Sequence, residues 1–67
     1  PLYNLVTVRK KYFAVAKEFG FDNSEDAKNH IKEIFNVDSF LKLTPGQLIQ
    51  TINNMEKAIE ERKENGN

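Results

Sequence analysis

Apolar side chains recur along this chain at the 3.6-residue spacing of a helix and nowhere alternate with the period of two that marks a half-buried strand. Val8, Tyr12, Val15, Ala16 and Phe19 fall on one face, which predicts a first helix running from an N-cap at Thr7 to Phe19. Gly20 stops it, because glycine reaches positive φ without a Cβ clash, and Phe21 can fold back as the apolar contact of a Schellman-type cap. The run Asp22-Asn23-Ser24-Glu25-Asp26 offers short polar caps and acids at the positive end of a helix dipole, so a second helix starts there. Its apolar face is Ala27, Ile31, Ile34 and Phe35, and it ends near Asn36, a residue that tolerates the left-handed region. Asp38-Ser39 before Phe40-Leu41 predicts one short extra turn over residues 39–42 that plugs the core.

The densest local signal is Leu43-Thr44-Pro45-Gly46-Gln47-Leu48. Thr44 and Gln47 make a capping box, Pro45 occupies the first helical position, and Leu43 with Leu48 forms a hydrophobic staple. The third helix then carries Leu48, Ile52, Met55 and Ile59, with Ile49 on its shoulder. At barely two heptads, that stripe reads as one wall of a core rather than a coiled-coil seam. The expectation is an all-α, compact three-helix bundle built from a single domain over residues 1–67. Its expected core is Val8, Tyr12, Val15, Phe19, Phe21, Ile31, Ile34, Phe35, Val37, Phe40, Leu43, Leu48, Ile52, Met55 and Ile59. The polar stretch 60–67 reads as a frayed tail, and a chain that opens on Pro1 rather than Met reads as a piece of something longer.

Composition narrows what such a bundle can do. In 67 residues without cysteine there is no disulfide framework and no thiolate zinc site, so the apolar 39% has to hold the fold. His30 is the lone imidazole, which leaves a catalytic triad or a metal centre without partners; at the edge of the second helix's apolar face it reads as a boundary residue. Glu25-Asp26 is accounted for by helix-start electrostatics and Glu60-Glu61 by solvation. Gly20, Gly46 and Gly66 are isolated and form no phosphate loop. The expectation is therefore a non-enzymatic domain: no catalytic residue, no metal, no cofactor and no small-molecule substrate. No apolar run is long enough to span a membrane and no signal peptide is present, which places the expected location in the cytoplasm.

The net charge of zero conceals an asymmetry. Residues 1–20 hold Arg9, Lys10, Lys11 and Lys17 against Glu18, a net of +3, while residues 21–44 carry −2 and residues 45–67 carry −1. Arg9, Phe13 and Lys17 follow one another at four-residue intervals, with Lys10 one turn before Phe13. An aromatic ring among cations can stack a nucleobase while neutralising its phosphate. Arg9, Lys10, Phe13 and Lys17 are thus the candidate nucleic-acid contacts. The competing account buries Phe13 and leaves the lysines as a solvated flank. A second candidate surface, for a partner protein, comprises Phe13, Phe40, Ile49 and Asn53, an apolar groove edged by an amide.

Two segments carry a family resemblance. Lys11-Tyr12-Phe13-Ala14-Val15-Ala16-Lys17-Glu18-Phe19-Gly20-Phe21 is similar to the helix ending in Lys-Glu-aliphatic-Gly of small helical modules in phage DNA-metabolism proteins. Phe35 to Leu48, with Ser39, Leu43-Thr44 and Gln47, resembles the entry to the last helix of those modules. The likeness spans roughly residues 8–60. It implies an accessory domain of a phage recombination, single-strand-annealing or replication protein, of the kind that follows a larger DNA-binding or annealing domain. Its implied partners are single-stranded DNA or another replication or recombination protein. The near-neutral charge departs from a dedicated DNA-binding module and raises the weight of protein docking.

Overall fold

The computed structural model describes residues 4–64. Three helices, α1 (Leu5–Phe19), α2 (Ser24–Phe35) and α3 (Pro45–Glu64), pack as an all-α bundle, and a 3₁₀ turn, Phe40–Lys42, bridges α2 and α3. Among the described residues there is no strand.

The helix ends follow the side chains available to satisfy them. The N-cap of α1 lies three residues before the predicted Thr7: Asn4, in extended conformation, accepts from the Val6 N–H at 2.8 Å. The earlier start brings Leu5 into the first turn, where it packs against the core. At the far end Gly20 sits at φ +136°, and the N–H groups of Gly20 and Phe21 both donate to the Ala16 carbonyl at 3.0 Å. Asn36, at φ 54°, does the same service for α2, with the Val37 N–H donating to the Lys32 carbonyl. Asn23 caps the start of α2 by accepting from the Asp26 N–H, and Ser39 caps the 3₁₀ turn. The capping box of α3 is complete. Thr44 Oγ1 accepts from the Gln47 N–H at 3.1 Å and Gln47 Oε1 accepts from the Thr44 N–H at 2.9 Å.

The core is one cluster in which α1 lies along α3: Val8, Tyr12, Val15 and Ala16 meet Leu48, Ile52, Met55 and Ile59, while Ala27, Ile31, Phe40 and Leu43 close it from the other side. The Tyr12 hydroxyl donates to the Ala27 carbonyl, tying α1 to α2 through the interior. Burial pushes the Tyr12 phenol up to about 12, since its charged form would be stripped of water. Thr51 is the buried polar residue, and its hydroxyl is satisfied by donating to the Gln47 carbonyl one turn back.

Three further expectations need correction. Ile34, predicted for the core, is 52% exposed: it lines an open hollow between α2 and α3 instead of entering the packed cluster. Phe19, Phe21, Phe35 and Val37 are half-buried on the cluster's margin rather than within it. The stretch expected to fray from residue 60 stays helical to Glu64, and residues 65–67 lie outside the described residues. Arg62 explains that extension. Its guanidinium stacks 4.5 Å over the Phe19 ring and donates to the Phe19 carbonyl, a group left open at the end of α1. Lys63 adds an exposed ion pair with Glu18 at 3.6 Å.

Candidate nucleic-acid interface on the first helix

Successive residues of a helix advance by about 100°, so Val6, Arg9, Lys10, Phe13 and Lys17 share the side of α1 turned away from α3. Val6 is 56% exposed, Lys10 and Lys17 are exposed, and Arg9 and Phe13 are half-buried. Lys11, on the other flank, reaches Glu56 of α3 at 3.9 Å. Among the described residues Arg9, Lys10 and Lys17 have no acid partner within salt-bridge distance, and Arg9 Nε is buried without a hydrogen-bond acceptor.

Phe13 is neither the free ring nor the core residue that the two sequence accounts offered. Its ring lies 5.5 Å from Tyr12 and 5.2 Å from Phe40, so the 3₁₀ turn covers one side of it. The other side borders a hollow of about 230 Å³ whose floor is Phe13, Ala16 and Ala27. Lys17, Phe21, Asp22, Asn23 and Ser24 form its walls. Lys17 and Phe13 are therefore brought to one opening, with Arg9 and Lys10 a turn nearer the start of the helix. Sequence spacing placed those four on one face but did not foresee Phe21 to Ser24 beside them. The available signal was Gly20, whose tight cap turns the next residues back across the end of α1.

The candidate partner groove is not a single feature. Phe40 is only 8% exposed and cannot serve as an anchor; it spends its ring on Tyr12 and Phe13. Ile49 and Asn53 line a different hollow, of about 300 Å³, shared with Thr7, Val8, Lys11 and Ile52 between α1 and α3. A third hollow opens between α2 and α3, where Ile34, Phe35 and Met55 supply apolar walls and Gln50 and Asn54 an amide rim.

His30 is half-buried with its ring 5.0 Å from Phe21, a boundary position. Among the described residues no group of three or more His, Asp or Glu side chains is placed to hold a metal ion, and no helix is long and apolar enough to cross a membrane. Asp38 and Lys42 pair at 2.7 Å on the exposed side of the 3₁₀ turn, and that hydrogen-bonded contact lowers the Asp38 carboxyl below its ordinary range. No protein-family model matches the chain, and neither curated proteins nor solved structures give a significant match.

Proposed function

We propose that this is a non-enzymatic accessory domain of a phage-type DNA recombination or replication protein, and that it engages single-stranded DNA through the outer face of α1. The observation that supports the reading most is the shared opening of Phe13 and Lys17, on a face whose cations Arg9, Lys10 and Lys17 have no acid partner among the described residues. From Arg9 to Lys17 the helix rises about 12 Å, a run along which a strand's phosphates can be met in succession. The partly covered Phe13 ring offers a single stacking surface, which suits weak, sequence-tolerant contact with an unpaired strand.

Fluorescence anisotropy of a labelled mixed-sequence 20-mer tests it. The expected result is saturable binding at low salt, with log affinity falling against log salt at a slope of about −2 for three cations on a single strand. Lys10→Ala with Lys17→Ala should remove most of the binding while leaving the fold intact. Binding absent at millimolar protein, or unaltered in the double variant, contradicts the reading.

A second reading, the docking of a replication or recombination partner, draws support from the hollow at Val8, Ile49 and Ile52. Ile49→Glu should abolish capture of such a partner without altering DNA binding.

A further inference from the structure

We infer that the open seam between α2 and α3 is a self-association surface, on which a second copy of this chain seats about a two-fold axis with its α3 against this copy's α2. The seam shares no residue with the α1 face proposed for DNA, so either reading can fail alone.

The seam exists because α2 is held by α1 and by the 3₁₀ turn rather than by α3. What lies open between α2 and α3 is the hollow walled by Ile34, Phe35, Met55 and Ala58 and edged by Gln50 and Asn54. In a chain of which 30% is charged, none of the described residues lining this hollow is Lys, Arg, Asp or Glu. The other hollows differ. Lys17 and Asp22 line the one beside Phe13, Lys11 the one between α1 and α3, and Lys32 with Glu33 one at the end of α2. Of the exposed large apolar side chains Val6, Ile34 and Leu41, only Ile34 lines an uncharged hollow. Val6 shares its face with Arg9 and Lys10, and Leu41 belongs to the turn that Asp38 and Lys42 pair across.

A two-fold contact sets residue i against j and j against i, so a face can join its own copy only if it complements itself. The cationic face of α1 repels its copy. An uncharged face rimmed by amides does not, because an amide both donates and accepts. Two charges that flank the seam complement each other across the axis. Glu33 follows His30 by three residues on α2, and Lys57 follows Asn54 by three on α3, so each flanks the seam on its own helix. Both are exposed, and neither has a salt-bridge partner among the described residues. Laying α3 of one copy on α2 of the other brings Glu33 and Lys57 together twice, once on each side of the axis. Helix α2, at 12 residues, is about 18 Å long, and two packed helices present a face about 20 Å across. Such a pair buries roughly 700 Å² in all, short of the ~1,200 Å² of a stable complex, so the association is weak, with a Kd on the order of 0.1–1 mM.

Sedimentation equilibrium of the full chain from about 20 μM to about 2 mM tests the seam, with circular dichroism to check the fold of each variant. The expected result is a reversible monomer–dimer equilibrium with no larger species. Ile34→Glu, at a position already open to solvent, should weaken it by about tenfold or more with the fold intact. Glu33→Lys and Lys57→Glu should each weaken it by about threefold to tenfold, and the two together should restore the parent affinity to within about twofold. A chain still monomeric at the highest concentration overturns the proposal, including one whose seam takes up an apolar helix of a different protein. So does association that survives Ile34→Glu, or a charge swap that fails to restore it.

Discussion

The two sides of α1 are made from the same fifteen residues and behave as different materials. The inner side, Val8, Tyr12, Val15 and Ala16, is closed by α3 and by a hydrogen bond to α2. The outer side, Val6, Arg9, Lys10, Phe13 and Lys17, stays largely open and leaves its charges unspent. Periodicity alone dictates the first, since every fourth or third apolar residue must find cover. The second depends on a distant piece of chain. Phe40, brought over by three residues of 3₁₀ helix, decides how much of Phe13 remains for anything else.

The comparison breaks most readily from within. Tyr12→Ala removes a fully buried ring together with its tie to Ala27 and should cost about 3–5 kcal/mol. A domain of this size holds only roughly 3–10 kcal/mol, so thermal unfolding followed by circular dichroism should show a variant close to collapse. Gly20→Ala attacks the joint between the two sides. An alanine meets no obstructing atom there but is strained at φ +136°, so a loss of about 1–3 kcal/mol in urea unfolding is expected, with DNA binding weakened because Phe21 to Ser24 lose their anchor.

A gentler probe uses pH. Between pH 10 and about 12 the unfolded Tyr12 phenol has released a proton that the folded, buried one still holds. The stability this represents is complete below pH 10 and disappears as the pH rises through about 12. Melting temperature across that window should therefore fall more steeply in the parent chain than in Tyr12→Phe, which has no phenol to ionise. Equal slopes would mean that the ring is wetter than its burial indicates. The smallest change in stability comes from the outer side: Lys10→Ala with Lys17→Ala should shift it by no more than about 0.5 kcal/mol. In that pair the loss falls on binding alone.

How much of this could be read in the sequence depends on whether a feature is local. The α3 start needs only six consecutive residues, and Thr44, Pro45 and Gln47 stand where the capping box requires. The stops at Gly20 and Asn36 and the turn over Phe40 are equally local and stand where their residue types indicate. Thr7 misled because two capping residues precede the same apolar stripe, and the chain uses Asn4, the one that brings Leu5 into contact with the core. Ile34 misled for a different reason. Spacing fixes the direction a side chain takes, whereas cover depends on how far a neighbouring helix reaches. Arg62 shows the converse, a polar residue in an apparently frayed tail that docks on Phe19 from forty-three positions away. The candidate interface divides in the same way. Arg9, Lys10, Phe13 and Lys17 share a face by helical arithmetic, but their association with Phe21 and Asp22 waits on the fold.

The most direct test of the outer face is a ¹⁵N-resolved titration of the chain with a single-stranded 12-mer at low salt, following each backbone amide. The account predicts that shifts concentrate on Arg9 to Lys17 and on Phe21 to Ser24. Amides that stay still there, or move instead around Ile49 to Asn53, would contradict it.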